Sequence, residues 1–379
     1  MSKSSKLKIK QIIRICRTWP TEKFNGIGLH AFYYSKYIDI PTKIFLKDSD
    51  YKEKPIYLKN VSFEKIKYND LLIKKEKTNK ILLFFILLTK VRGEIIMFLR
   101  LIKYFGIIKH DHHIIHIHSA NFILSGFLIS FIYKIPVVMQ LGGTDILRME
   151  KSLIHKFVLR RINHYICINK EISNKIKSIN PFSRVQIVGN SADISLFKPL
   201  KKDKNLFISI GNLRWQKNYI TLIKAFKIFK EINPNARLVI FGEGPERNIL
   251  ENKIKELKLE NSIFLKGYCN HLEIAKTLSK SYIYIQSSIS EGLPKSILEG
   301  VAAGCPIVAT DVGSCKEITN KFGISVEPNN HKNLSRAIIK LFSDRDLWEF
   351  YHQKCIENRD DYGWEKLVKK VSYFYEDFY

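Results

Sequence analysis

Short apolar runs bounded by glycine, proline and polar turns alternate along this chain with stretches of helical period, which predicts strands and helices in alternation. The clearest unit runs from Ser281 to Ile318. Tyr282-Ile-Tyr-Ile predicts a buried strand and Gln286 to Ser290 a polar bend. Pro294 suits a first helical turn, and Ser296-Ile-Leu-Glu-Gly-Val-Ala-Ala continues that helix until Gly304 and Pro306 stop it. Ile307-Val-Ala-Thr is the next strand. Together they make a βαβ unit with its loop at the carboxyl end of the first strand. The same alternation predicts strands at 9–16, 43–46, 55–58, 136–140, 165–169, 206–210, 237–241 and 262–268. His110-Asp-His-His-Ile-Ile-His-Ile-His alternates Ile115 and Ile117 with His116 and His118, so it reads as a strand; no carboxylate or cysteine set completes a metal site. Helical stretches are expected at 31–37, 79–108, 151–161, 171–179, 220–229, 252–259, 334–342 and from Leu347 onward.

Chemistry gathers on the first of these units. Glu291 precedes the helix and Glu299 lies in its second turn. Between them, free backbone N–H groups and the positive end of the helix dipole offer a place for a phosphate or diphosphate. A carboxylate one or two turns down can accept hydrogen bonds from a ribose diol. The one on the loop can hold hydroxyls of a group beyond the diphosphate. The stretch reads as a socket for a nucleotide diphosphate-sugar. Near the other end of the chain, a strand, a loop containing Gly26 and Gly28, and a helix follow one another. That arrangement brings backbone amides close to a phosphate, and it is equally that of a plain tight turn.

The segment EGLPKSILEGVAAGCPIVATDVGSCKEI closely resembles the donor-binding segment of the retaining nucleotide-sugar glycosyltransferases of family 4, glycosyl transferases group 1. Their paired glutamates, with seven residues between them, match Glu291 and Glu299, with Gly292, Leu293, Pro294, Lys295 and Ser296 forming the helix start between them. The resemblance continues in Gly211-Asn-Leu-Arg-Trp-Gln-Lys, where the family reads Gly-Arg-Leu-x-x-x-Lys. It implies that Lys217 neutralises the leaving diphosphate. Asn212 stands where the family has arginine, and Arg214, two residues on, is the candidate replacement. Gly26 and Gly28 match a glycine loop facing the donor, and His118 a strand ending in His-x-His beside the cleft. Gly142-Gly143-Thr144-Asp145 stands where many members read His-Gly-Thr/Ser-Asp, leaving Gly142, Gly143 and Asp145 as acceptor-side contacts.

What the resemblance implies is an α/β protein of two Rossmann-like domains facing across a cleft, the GT-B architecture. An acceptor-side domain is expected at 1–200, a donor-binding domain at 201–360, and a last helix in 361–379 crossing back to the first. The implied reaction transfers a sugar from a UDP- or GDP-sugar to an acceptor hydroxyl with retention. The nucleotide-sugar is a substrate, and no cofactor or metal ion is expected. The rivals are a nucleotide-sugar epimerase or phosphorylase of the same fold, or a basic nucleic-acid- or membrane-binding protein without catalysis.

Charge adds a partner. Residues 1–200 hold 35 Lys/Arg against 14 Asp/Glu, and residues 201–379 hold 28 against 22, within a total of +27. A basic first half implies an anionic partner such as a membrane surface, a lipid-linked phosphate or nucleic acid. The expected partners are an anionic membrane surface and a lipid-linked saccharide acceptor, as in cell-surface polysaccharide synthesis. Aromatic residues interleaved with lysine and arginine in a nucleic-acid-binding module are not seen. Within 79–108, cations punctuate large apolar side chains, which suits either a core face or a membrane interface. The most apolar run, Ile81 to Leu88, spans only about 12 Å as a helix against a hydrocarbon core of roughly 30 Å. The six cysteines are scattered without a CxxC pair, as reduced thiols would be, and MSKSSKLKIK carries no signal-peptide pattern. The expected location is cytoplasmic, peripheral on the inner face of the cell membrane.

Overall fold

The computed structural model describes residues 9–16, 29–47, 58–66, 94–108, 111–142, 146, 149 and 152–378. The chain divides into two compact units, residues 1–188 with 368–379, and residues 189–367. Each is a parallel sheet flanked by helices.

The first unit holds β1 (Gln11–Cys16), β2 (Thr42–Lys47), β3 (Val61–Ile66), β4 (His113–Ile117), β5 (Val137–Leu141), β6 (His164–Cys167) and β7 (Arg184–Ile187). They pair in parallel in the order β3-β2-β1-β4-β5-β6-β7. Parallel strands covered on both faces read as nearly continuous apolar runs, and β4 and β5 are buried at every position. The core joins Ile13, Ile115, Ile117 and Met139 of the strands to Met97, Leu101 and Phe105 of a helix spanning 94–105. A further helix, Ile123–Tyr133, is apolar almost all round, so no helical period marks it in the sequence. Its first turn is closed by Glu94, whose carboxylate accepts from the backbone N–H groups of Leu124 (3.2 Å) and Ser125 (2.8 Å). The last helix, Trp364–Glu376, contributes its later residues to this unit. An Arg184–Asp377 ion pair of 2.7 Å and the Phe378 ring against His164 fasten the end of the chain there.

The second unit holds β8 (Asp203–Ile210), β9 (Arg237–Phe241), β10 (Ile263–Gly267), β11 (Ser281–Gln286), β12 (Ile307–Thr310) and β13 (Gly323–Val326), in the order β10-β9-β8-β11-β12-β13. Its first strand starts at Asp203, which pairs with Ser281 of β11 and accepts from Arg237 at 2.7 Å. Residues 189–202 pack on this unit too. Phe197 is fully buried, and Arg359 donates to the Ile194 and Phe197 carbonyls at 2.6 and 2.7 Å.

Both sheets reverse direction of travel once, between β1 and β4 and between β8 and β11. At such a switch point the connections from two neighbouring strands leave in opposite directions and open a crevice outside their carboxyl ends, where ligands of open α/β sheets bind.

Candidate functional site

In the second unit, the two loops at the switch point carry the charged residues. After β8 the chain runs from Gly211 to a single 3-10 turn, Trp215–Lys217. After β11 it runs through Ser287 to Pro294, the N-cap of the helix Lys295–Ala302. The loops are tied together by Ile289 N–H to Gln216 O (2.8 Å) and by the Ser287 hydroxyl to Lys217 O (2.8 Å).

That tie brings Lys217 Nζ to 2.5 Å from Glu291 Oε1, with the two side chains only 20% and 13% exposed. Ser288 Oγ donates to the same oxygen at 2.7 Å, and Gln286 Nε2 approaches it at 3.4 Å. Gly211 leaves room for the lysine stem, since a Cβ there would lie 2.8 Å from Lys217 Cε. Gly313 has φ +53° and passes so close to the other loop that a Cβ would meet Glu291 O at 2.0 Å. Ser314 N–H then donates to Gly292 O at 3.0 Å, and Asn190 Nδ2 to Leu293 O at 2.5 Å. The Glu291-Gly-Leu-Pro turn is thus held from three sides. Cys315 sits beside it, and burial, reinforced by the Glu291 charge, pushes its thiol up to about 12, so it stays protonated.

The helix Lys295–Ala302 opens with free amides, and Ser296 Oγ accepts from Tyr284 OH at 2.8 Å. On its second turn Glu299 is 4% exposed, yet among the described residues no hydrogen bond or ion pair reaches its carboxylate. The charges near it are Lys295, lowered by burial with Glu299 opposing, and His271, likewise lowered by burial against the pull of Glu299. An anion at the helix start and a pair of hydroxyls at Glu299 are what this geometry can accept.

The structure therefore brings together Gly211, Lys217, Glu291, the Gly292–Ser296 turn and Glu299. Arg214 is exposed three residues from Lys217, with no side-chain partner among the described residues. His118 and Gly142 belong to the first unit: Gly142 follows β5, and His118 follows β4 with its Nε2 3.1 Å from Arg14 Nη1. Gly26, Gly28, Gly143 and Asp145 lie outside the described residues, as does most of the 79–108 stretch. Sequence reasoning missed Ser288 and Gln286, the donors on Glu291, and Gly313 beneath it; a glycine fixed two residues after the aspartate of the next strand end was the available signal. It also missed Arg14, an arginine in an otherwise apolar strand.

Two parallel-stranded α/β units of this kind make the GT-B fold. Residues 192–360 match the model of the glycosyl transferases group 1. The chain is 28% identical over 236 residues to an uncharacterized glycosyltransferase of Methanocaldococcus jannaschii, covering 53% of this chain and 57% of that protein. It is 25% identical over 268 residues to the UDP-Gal:alpha-D-GlcNAc-diphosphoundecaprenol alpha-1,3-galactosyltransferase of Escherichia coli, covering 63% of this chain and 68% of that one. Among solved structures, sucrose-phosphate synthase from Thermosynechococcus elongatus superposes with a TM-score of 0.76 at 15% identity, over 97% of this chain and 99% of that one. The match with the archaeal relative thus spans little more than half of that relative's length.

Proposed function

We propose that the protein is a glycosyltransferase that moves a sugar from a nucleotide diphosphate-sugar to an acceptor hydroxyl with retention of configuration, without a metal ion. The observation that carries this reading is the Lys217–Glu291 pair at the switch point, beside a helix start and a buried Glu299 with no partner for its carboxylate among the described residues. As the anomeric bond breaks, negative charge grows on the departing diphosphate. Lys217 and the amides of Lys295 and Ser296 are preorganised cationic and dipolar groups for that charge, with Arg214 as a second cation at the loop edge. Glu299 holds the ribose, and Glu291 holds hydroxyls of the transferred sugar and steadies the positive charge developing on it.

The donor is a UDP- or GDP-sugar and the acceptor a lipid-linked saccharide, a reading supported by the name of the Escherichia coli relative. The first unit supports a membrane-surface location in the synthesis of cell-surface polysaccharide. Among the described residues no helix is long and apolar enough to cross a membrane. Two neighbouring helices instead expose large apolar side chains: Phe131 at 76%, and Leu153 at 85% with Phe157 at 53%. Arg160 and Arg161 are exposed beside them. Apolar wedges ringed by cations suit an anionic interface, each cation contributing about 1 kcal/mol.

The test is a screen of purified protein against UDP-, GDP- and ADP-sugars, reading nucleotide release with and without lipid extract and with EDTA. Release from one donor, raised by lipid and indifferent to EDTA, is expected. Abolition by EDTA with recovery in Mg²⁺ overturns the metal-free reading. Co-sedimentation with anionic vesicles that fades in high salt and on Phe131→Ser/Leu153→Ser is expected; equal indifference to anionic and neutral vesicles overturns the membrane reading alone.

A further inference from the structure

The first unit contains a buried cation with no counter-charge among the described residues. Arg14 lies in β1 directly opposite His116 of β4 and is 0% exposed. Its Nε donates to Ser35 Oγ at 3.0 Å, and Ser35 in turn donates to Ala31 O at 2.8 Å, which fixes the plane of the guanidinium. Its Nη1 lies 3.0 Å from His116 Nδ1, 3.1 Å from His118 Nε2 and 3.1 Å from Tyr375 OH. Tyr375 OH also contacts His116 Nδ1. No carboxylate pairs with Arg14 among the described residues, and its Nη2 is buried without a partner.

The protons in this cluster can be placed by elimination. A guanidinium only donates. The two hydrogens of Nη1 and the one on Tyr375 OH are three donors, and His116 Nδ1, His118 Nε2 and the Tyr375 oxygen are three acceptors. The count closes with Tyr375 donating to His116 and Arg14 donating to His118 and to Tyr375. A proton on His116 Nδ1 or His118 Nε2 would set an N–H against an N–H at about 3 Å. We propose that Arg14 is a positioning residue that consumes the Nε2 lone pair of His118 directly and, by donating to the Tyr375 oxygen, turns the Tyr375 hydroxyl onto the Nδ1 lone pair of His116, fixing His118 as the neutral Nδ1–H tautomer and His116 as the neutral Nε2–H tautomer.

The surroundings agree. Both imidazoles are held well below their ordinary range, His116 by burial and then by its neighbours His118, Arg14 and His30, His118 by burial and then by Arg14 and His30, with Gln140 opposing. The rings stack at 3.9 Å, so a charge on either would face the other as well as Arg14. The groups packed around the pair are Arg14 and Cys16 on β1, His30 and Tyr34 on the helix Leu29–Tyr37, Gln140 on β5 and Tyr375 on the last helix. Among the described residues none of them is a carboxylate that would favour an imidazolium. The consequence rests on the glycosyltransferase reading: at the acceptor side, His118 acts as a neutral N–H donor and does not take up a proton through Nε2.

The test is ¹⁵N NMR of histidine-labelled full-length protein, read for tautomer and titration between pH 5 and 8. His118 is expected to carry its proton on Nδ1 and His116 on Nε2, with neither titrating above pH 5. In Arg14→Met, both rings should exchange tautomers and titrate upward by at least one pH unit. In Tyr375→Phe, His116 signals should move while those of His118 hold. A wild-type His118 protonated on Nε2, or titrating near 6.5, overturns the proposal, and this spectrum decides even if Arg14→Met does not fold. With a donor in hand, kcat/KM of wild type should stay flat to pH 5.5, whereas Arg14→Met should lose about tenfold per pH unit below its new pKa. If no nucleotide-sugar is turned over, the glycosyltransferase reading fails while the tautomer assignment stands on the spectrum.

Discussion

Replacing Lys217 by Met separates the structural from the chemical use of its charge. In the folded chain the ammonium is 2.5 Å from Glu291, and both side chains are at least four-fifths covered. Removing one member of a fully buried pair costs about 3–5 kcal/mol, whereas surface pairs contribute about 0–1 kcal/mol. Ser288 and Gln286 still donate to the abandoned carboxylate, at 2.7 and 3.4 Å. With that partial compensation and some solvent access, Lys217→Met should cost about 2 kcal/mol of stability. Lys217→Met/Glu291→Gln should recover at least half of it, because no uncompensated charge remains. Turnover should behave differently. If the lysine stabilises the departing diphosphate, its loss costs about 3–4 kcal/mol of barrier, a factor of 10² to 10³ in kcat. The double variant should then be at least as inactive as the single one. Urea unfolding and steady-state nucleotide release on the same four proteins give both cycles. If the double variant regains turnover in step with stability, Lys217 is a structural counter-ion and the leaving-group role is refuted.

Glu299→Ala should weaken binding of free nucleoside diphosphate by about 10- to 100-fold, as loss of hydrogen bonds to a charged group does, while Glu291→Ala should mainly lower kcat; calorimetry and kinetics that find both variants unchanged would remove the site assignment. Gly313→Ala should destabilise the second unit by more than about 1 kcal/mol and lower kcat, since its φ of +53° and the Glu291 carbonyl at 2.0 Å from the new Cβ leave no room; wild-type melting would show that the loop adapts. The lowered His116 and His118 bind protons in the unfolded chain that the folded one refuses, so stability is complete above about pH 6.5 and falls below it. The slope should approach about 1.4 kcal/mol per pH unit for each ring, and denaturant midpoints that stay level from pH 7 to 5 would contradict their burial as neutral groups.

The second unit was legible in the sequence because its site is local. Lys217 follows one strand, Glu291 the neighbouring one, and Glu299 sits two turns into the next helix, and the resemblance to the family's motifs, more than the spacing, pointed to them. The α/β alternation was equally readable, since parallel strands buried on both faces appear as bare apolar runs. What the sequence concealed is pairing at long range. Ser288 donates to Glu291 because Thr310 of β12 holds the Ser288 carbonyl at 2.5 Å, which no spacing announces. Arg14 looks like a solvent-facing residue of a half-buried strand until β4 is laid beside β1 and Tyr375, 361 positions later, closes over it. The helix Ile123–Tyr133 escaped because it is apolar all round, and periodicity detects only helices with two unlike faces.

The two units share a topology but resolve its crevice in opposite ways. Each concentrates its polar residues where the strand order reverses, β1 and β4 in one, β8 and β11 in the other. In the second unit Lys217 pairs with Glu291, while the carboxylate of Glu299 has no hydrogen-bond or ion-pair partner among the described residues. In the first unit the cation has no counter-charge among the described residues, and the acceptors it meets are two imidazoles, a phenol and a serine hydroxyl. A buried guanidinium without a counter-ion is expensive to keep. An apolar residue in β1 would pack against the same sheet without that cost, so the fold alone does not require Arg14. What Arg14 does that an apolar residue cannot is hold two imidazoles in one protonation state by donation alone. A carboxylate in its place would raise their pKa values and invite the proton instead. The sign of that one buried charge is therefore what separates a neutral hydrogen-bond donor at His118 from a proton acceptor there, and it sits on the strand next to His118, where the chemistry of the first unit is decided.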